Sequence, residues 1–196
     1  MKALKKQQAR QIFIEAAKQI VLTDGHEAIT VRRVADLTGY SYPILYHYFK
    51  DLGTLQWDLR LNMIEDVIIE LSSETTSNDP VEDLLNSFMS YTDYFFRHPN
   101  VFRFFYFHPF VKPEGNEDYI QLEQRFATMW ASTFSNLIKA DLLKPEDITI
   151  VAKTIIYALQ GMIMLSLSSN GSLTQTQVHV ELQMLVKYLF DKDHRR

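Results

Sequence analysis

The sequence predicts an all-α protein of about nine helices, and three observations support this prediction. Apolar residues recur at helical spacing along most of the chain. The six glycines and six prolines fall mostly between these segments, and no segment shows the pattern of a credible strand. With 196 residues, 46% of them hydrophobic, the chain is expected to form a small N-terminal domain, residues 1–52, and a helical domain, residues 53–196.

Two helices are predicted before residue 40. The first, at about 7–24, has an apolar stripe that includes Phe13. It ends at Gly25, because glycine can adopt the left-handed conformation that closes a helix. Thr30 is suited to cap a short second helix. That helix ends at Gly39, which permits a tight turn.

A third short helix is predicted to begin after Ser41, its N-cap. Pro43 falls in the first turn of this helix, where a backbone N–H has no intrahelical partner and a proline is tolerated. The apolar face of the helix is predicted to consist of Ile44, Leu45 and Phe49. A turn joins the second and third helices, so residues 30–49 have the layout of a helix-turn-helix.

The remaining helices are marked by caps and breaks. Asp79 and Pro80 restart the chain after a long fourth helix, and Pro99 separates the fifth helix from an aromatic sixth. An acidic first turn after Pro145 suits the start of the eighth helix. The predicted bounds, from the fourth helix to the ninth, are about 53–75, 80–98, 99–109, 117–140, 145–170 and 175–191.

The helix-turn-helix closely resembles the N-terminal signature of TetR-family regulators. The matching residues are Thr30 at the start of the second helix, Val34-Ala35 before the turn, Gly39, Ser41, and the closing run from Leu45 to Phe49. Leu52 departs from the pattern, since many members have a phosphate-binding lysine there. The resemblance implies a transcriptional regulator that binds double-stranded operator DNA. Because repression is the more common mode of action in this family, a repressor is expected.

The chemistry of the motif agrees with this resemblance. Residues 1–60 hold nine Lys/Arg against six Asp/Glu, whereas the rest of the chain holds 11 against 18, so the predicted head attracts anions. Arg32, Tyr42 and Pro43, with Arg33 as a weaker candidate, are predicted to contact base edges. The predicted phosphate contacts are Thr30, Ser41, Tyr46, His47, Tyr48 and Lys50. Alternatively, the tyrosines only pack the motif and the arginines are solvated.

The last two long helices are apolar over more of their circumference than one core requires, which indicates a partner. The resemblance implies a homodimer that pairs these helices in a four-helix bundle and therefore recognises a palindromic operator. Alternatively, the helices are central to the monomer. The predicted interface residues are Ile155, Leu159, Met162, Leu182, Leu185 and Leu189.

Residues 88–110 hold 11 of the 25 aromatic residues, a density typical of pockets for apolar or planar ligands and also of cores. The resemblance implies an effector that shifts the fourth helix. The predicted pocket wall is Tyr91, Phe95, Phe105, Trp130 and Tyr157. Arg103 or Asn136 is the predicted polar contact.

Other classes of protein fit the sequence less well. Motifs for a nucleophile elbow, a phosphate-binding glycine loop or a zinc-binding helix are missing, so no enzyme, metal site or cofactor is expected. His98 and His108 flank the aromatic sixth helix and could share a metal ion, but the sequence offers no third ligand for it. The apolar run 154–167 is too short for a membrane span, and the N-terminus lacks a secretory signal. The sequence has no cysteine, which fits a protein of the reducing cytoplasm. A carrier of hydrophobic molecules is the other alternative.

Overall fold

A computed structural model describes residues 2–72, 77–111, 120–122, 124, 125, 128, 130–168 and 170–191, with side chains from residue 6 onward. Helices account for most of these residues, and none of them lies in a strand, so the predicted all-α fold is confirmed. Contacts within the chain define two compact units. Unit 1 comprises Met1–Val67 and His98–Glu123, and unit 2 comprises Ile68–Arg97 and Gln124–Arg196. The predicted domain boundary at residue 52 stays a prediction.

Unit 1 contains three N-terminal helices, most of a long fourth helix, and a later short helix. The bounds are α1 (Lys2–Asp24), α2 (Val31–Thr38), α3 (Tyr42–Tyr48), α4 (Leu52–Ser72) and α6 (Pro99–Phe107). A 3₁₀ turn, His26–Ala28, follows α1. The core of this unit is built from fully buried apolar residues of four of these helices, among them Phe13, Val34, Leu45 and Leu55.

Polar contacts fasten α1 along α4. Arg10 forms an ion pair with Asp58, and two turns later Lys18 pairs with Asp66 and donates to the Asn62 side-chain oxygen at 3.4 Å. These contacts join residues more than forty positions apart in sequence. Helix α1 is therefore held to α4 by ion pairs as well as by the apolar core.

Unit 2 includes three long helices and a shorter one. These are α5 (Pro80–Arg97), α7 (Ala131–Lys139), α8 (Ile148–Leu167) and α9 (Gln175–Phe190). Helix α5 packs against α7, α8 and α9. Thr174 forms a capping box with Gln177 at the start of α9. Near its N-terminus, α9 is tied to α5 by His179, whose Nε2 lies 2.6 Å from the Asp93 carboxylate.

The helix boundaries differ from the predicted ones mainly around Trp130. One helix was predicted over 117–140, but Trp130 lies in a turn before α7. Residues 112–119, where that helix was predicted to begin, lie outside the described residues. The eighth helix was predicted to start near Pro145, but a 3₁₀ turn, Pro145–Asp147, precedes α8. Asp79 caps α5 as predicted, accepting from the Val81 backbone N–H at 2.8 Å.

Among the described residues, one helical stretch is long and apolar enough to cross a membrane. It spans Pro145–Leu167 and has a mean hydropathy of 1.7 in its most apolar window. Length and composition are the only basis for this finding, and helices in the cores of soluble proteins satisfy the same criteria.

Candidate nucleic-acid interface

The turn between α2 and α3 is set by local chemistry. Thr30 has an extended backbone, and its hydroxyl accepts from the Arg33 backbone N–H at 3.1 Å, which caps α2. Gly39 closes α2 with a φ of 71°, the left-handed region that favours glycine. Ser41 precedes α3 with an extended backbone, and Pro43 occupies its first turn. Two short helices joined by a tight turn are the framework that a DNA-binding helix-turn-helix requires.

Helix α3 buries one side chain and exposes most of the others. Leu45 is fully buried, and Phe49, the residue after the helix, is buried too. Of the predicted DNA contacts on or near this helix, all but Tyr48 are exposed: Ser41, Tyr42, Pro43, Tyr46, His47 and Lys50. The helix therefore presents to solvent the side chains that a recognition helix would present to a groove.

Ile44 was predicted to belong to the apolar face of this helix, but its side chain is exposed. In a helix of only seven residues, a single inward position is filled by Leu45, and Ile44 lies one residue earlier at the edge of the outer face. The shortness of α3 is the sequence signal that could have predicted the exposure of Ile44, because so short a helix buries few side chains.

The two arginines of α2 are in different environments. The Arg32 side chain is 81% exposed, and its Nε lies 3.8 Å from the Asp36 carboxylate, a loose surface ion pair. Arg33 pairs with Asp24 at the end of α1. Arg32 is thus available for a ligand, whereas Arg33 also fastens α2 to α1.

Tyr48 and Arg10 fasten the end of α3. The Tyr48 ring is half-buried, with its centroid 5.8 Å from that of Phe13. Its backbone carbonyl accepts a hydrogen bond from the Arg10 guanidinium, which also lies 4.3 Å above the Phe49 ring centroid. Sequence reasoning missed Arg10, because its partners are 38 or more positions away.

Asp51 caps the start of α4. Its carboxylate accepts from the Thr54 backbone N–H at 2.7 Å and from the Thr54 hydroxyl at 2.8 Å. The hydrogen bond from the backbone N–H is the main reason that the pKa of Asp51 lies below its usual value. A carboxylate therefore lies at the N-terminus of α4. The adjacent Leu52 is the position at which many of the regulators that this sequence resembles have a lysine.

Comparison with known structures identifies this arrangement of helices. A TetR family transcription regulator from Marinobacter aquaeolei VT8 superposes with a TM-score of 0.65, covering 94% of this chain and 97% of its own, at 19% sequence identity. The chain has the TetR-family fold. No protein-family model and no curated relative matches the sequence.

Two further structural neighbours were solved with small molecules. RolR in complex with resorcinol gives a TM-score of 0.69 at 16% identity, covering 97% of this chain and 96% of its own. FadR from Bacillus subtilis in complex with stearoyl-CoA gives 0.67 at 12% identity, covering 92% and 97%. RolR and FadR are thus structures of this fold with bound small molecules.

The predicted ligand residues are distributed over both compact units. In unit 2, Tyr91, Phe95 and Trp130 are buried in one aromatic cluster, in which the Trp130 ring is stacked at 4.6 Å on that of Phe88. Asn136 and Tyr157 are exposed. Arg103 and Phe105 belong to α6 in unit 1, where Arg103 donates to the Asn100 side chain at 3.3 Å.

The predicted interface residues divide into buried and half-buried ones. Ile155, Leu159 and Leu182 are fully buried in the core of their own unit, while Met162, Leu185 and Leu189 are half-buried. The apolar residues that α8 and α9 actually expose are others: Ile150, Tyr157, Met164, Leu165, Val180, Met184 and Tyr188. Tyr157, predicted to line a pocket, is therefore a surface residue of α8.

A groove of about 470 Å³ lies beside this exposed surface. It is lined by Leu143, Lys144, Asp147, Ile150, Val151, Tyr188 and Leu189. None of the predicted ligand residues lines it. The His108 ring lies 5.2 Å from that of His26, centroid to centroid. No cluster of metal-binding side chains occurs in the described part of the chain.

Proposed function

We propose that this chain is a cytoplasmic, sequence-specific DNA-binding regulator of transcription, a repressor that binds its operator through α3. The outward presentation of Tyr42, Pro43 and Tyr46 on a helix fixed to α2 by Gly39 supports this proposal most strongly. Exposed Arg32 and Lys50 supply positive charge on the same motif. Phosphate contacts would come from Thr30, Ser41, Tyr46, His47 and Lys50.

The structure suggests a secondary role for two of the predicted contacts. Arg33 pairs with Asp24, and the Tyr48 ring packs on Phe13. Both residues would therefore position the motif, and either could bind a phosphate only at the edge of the interface. The residues proposed to contact base edges are therefore Arg32, Tyr42 and Pro43.

A salt-titrated mobility shift tests this function. The purified protein is mixed with duplexes from the DNA upstream of its own gene, between about 50 and 200 mM salt. Steep loss of affinity with salt is expected. Lys50→Ala should weaken binding to all duplexes and reduce the salt slope by about 1. Lys144→Ala, which removes an exposed lysine of unit 2, is the matched control and should change neither. Failure to bind any duplex at low salt would refute the proposal.

We propose further that the protein acts as a homodimer on a palindromic operator, with the exposed apolar faces of α8 and α9 as the interface. On α8, Ile150, Tyr157 and Met164 recur every seven residues, and on α9, Val180 and Met184 lie four apart, so each set forms one stripe. Large exposed apolar surfaces on folded proteins are typical of interfaces. In this proposal, the exposed residues replace Ile155, Leu159 and Leu182 of the predicted interface, because those three are buried and have no surface to offer a partner.

The dimer proposal is tested by mass measurement in solution. Met184→Arg should convert the dimer to a monomer, because a charge would be buried without a partner in the interface. Ile69→Arg is the matched control, since Ile69 is 60% exposed and Met184 62% exposed, both in unit 2. Dissociation by Ile69→Arg alone, or a wild-type chain that is monomeric at micromolar concentration, would refute this interface.

A small apolar or aromatic effector is proposed to regulate DNA binding. The support is the aromatic cluster of unit 2, at Tyr91, Phe95 and Trp130, together with the small molecules bound to RolR and FadR. A screen for compounds that release the bound duplex tests the idea. A true effector should lose potency when Tyr91 is changed to Ala. Compounds that act equally on that variant would exclude the cluster as their site.

A further inference from the structure

The outer surface of α3 is unusual for a recognition helix in its side-chain chemistry. The helix reads Tyr42-Pro-Ile-Leu-Tyr-His-Tyr48 and contains no arginine, lysine, asparagine or glutamine. These four residue types make the bidentate hydrogen bonds that identify guanine and adenine in the major groove. The helix must therefore discriminate between bases without these bidentate hydrogen bonds.

The beginning of α3 offers an apolar surface instead. Pro43 is exposed, and Ile44 is 38% exposed, although α3 already fills its inward position with Leu45. The first residues of a recognition helix are those that meet base edges. The one apolar group on the major-groove edge of a Watson–Crick pair is the 5-methyl group of thymine. Apolar side chains at this place are thus complementary to thymine.

Guanine recognition is limited by the charges around the motif. Arg33 is paired with Asp24, and Lys50 lies beyond the C-terminal end of α3. Arg32 on α2 is the exposed arginine of the motif, with one weak partner at 3.8 Å. The tyrosine hydroxyls and the His47 ring of α3 can each donate or accept a hydrogen bond, so they distinguish bases poorly.

We infer that α3 selects operator half-sites by apolar contact of Pro43 and Ile44 with thymine methyl groups, and not by hydrogen bonds to guanine. The inference rests on the proposed function, and it adds Ile44 to the specificity-determining residues. The half-site should present thymines to the start of α3, and any guanine that is read should lie on the side of Arg32.

The test removes single methyl groups from the DNA. A random duplex library is first selected with the full-length protein, and each thymine of the enriched half-site is then replaced, one at a time, by deoxyuridine. Removal of a contacted methyl should weaken binding about fourfold, the transfer free energy of one buried carbon expressed as an affinity ratio. Thymines that are not contacted should tolerate the change.

Protein variants assign the effect to a residue. Ile44→Ala should reduce the thymine-to-uracil affinity ratio to near one at its contact position, and Ile44→Val should retain most of it. Ile12→Ala is the matched control, because Ile12 is an exposed isoleucine of α1, 44% accessible, and the ratio should be unchanged. Replacement of the DNA base requires no protein variant, so the inference can be tested even if a variant is unstable.

The outcomes separate this inference from the proposed function. Enriched half-sites with uracil-sensitive thymines, whose sensitivity disappears in Ile44→Ala, support it. Enriched half-sites in which no thymine is sensitive to uracil would overturn it and leave the DNA-binding function intact. A library in which no duplex is enriched would overturn both.

Discussion

Replacing Arg10 with alanine should destabilise the helix-turn-helix more than any surface substitution in the motif. The Arg10 guanidinium donates to the Tyr48 carbonyl, pairs with Asp58 and lies 4.3 Å above the Phe49 ring centroid. These contacts join α1 to the end of α3 and to α4. The side chains of Arg10 and Asp58 are only 29% and 23% exposed, so the ion pair is partly shielded from water.

The expected loss follows from the three contacts. A hydrogen bond from a charged donor contributes about 1.5 kcal/mol, a partly exposed ion pair about 0.5–1 kcal/mol and a cation–π contact about 0.5 kcal/mol. Because contacts of one side chain are not additive, Arg10→Ala should lower the free energy of unfolding by about 2–3 kcal/mol. For a chain of this length the melting temperature should fall by about 5–10 °C.

The assay is thermal and urea unfolding followed by circular dichroism. Arg32→Ala is the matched control, because its side chain is 81% exposed and its partner is 3.8 Å away; it should cost less than about 0.5 kcal/mol. Arg10→Lys keeps the charge but cannot make all three contacts, so its effect should be intermediate. If Arg10→Ala cost no more than Arg32→Ala, the inference that Arg10 holds α3 in place would be refuted.

Substitutions at three positions have further expected outcomes. Arg32→Ala should weaken operator binding by about 1–3 kcal/mol and relax the preference at one base pair, so an unchanged affinity in the mobility shift would exclude Arg32 from base recognition. Gly39→Ala should cost about 1 kcal/mol in urea unfolding because of the positive φ at this residue. Gly39→Asn should cost less, and equal losses would argue against backbone strain as the cause. Burial, and secondarily the nearby charge of His26, lower the pKa of His108 below its usual 6.5. The unfolded chain therefore binds more protons at this residue, and stability should fall as the pH drops below about 6.5. Melting temperatures measured from pH 7.5 to 5 should show a smaller decline in His108→Gln, and an unchanged decline would contradict this origin.

The helix-turn-helix was predictable from sequence because its signals are local. Thr30 caps α2, Gly39 takes the left-handed turn and Pro43 sits in the first turn of α3, and each of these needs only its neighbours in the chain. Contacts between distant residues left no such signal. In the sequence, Arg10 does not differ from other charged residues of a helix, and only the fold shows that it bridges Tyr48 and Asp58.

The division of the apolar residues of α8 was not predictable from periodicity. Both sides of the helix are apolar, and the pattern does not reveal which stripe faces the core of the same unit. Ile155 and Leu159 face that core, whereas Tyr157 and Met164 face solvent. Aromatic density likewise does not reveal whether a cluster lines a pocket or fills a core, and Trp130 is buried and stacked on the Phe88 ring. For α8, burial distinguishes the two stripes, which periodicity does not.

Targeted cleavage of bound DNA tests the placement of α3 in the groove most directly. The chain has no cysteine, so Ser41→Cys, an exposed position at the start of α3, can carry an iron chelate that cleaves nearby DNA. We predict two cleavage sites on the selected duplex, one per half-site, separated by about 10 base pairs or a multiple of this. The same label at Ser132→Cys, an exposed serine of α7, should give none. Equal cleavage from both positions, or none from Ser41→Cys on a bound duplex, would contradict recognition of DNA by α3.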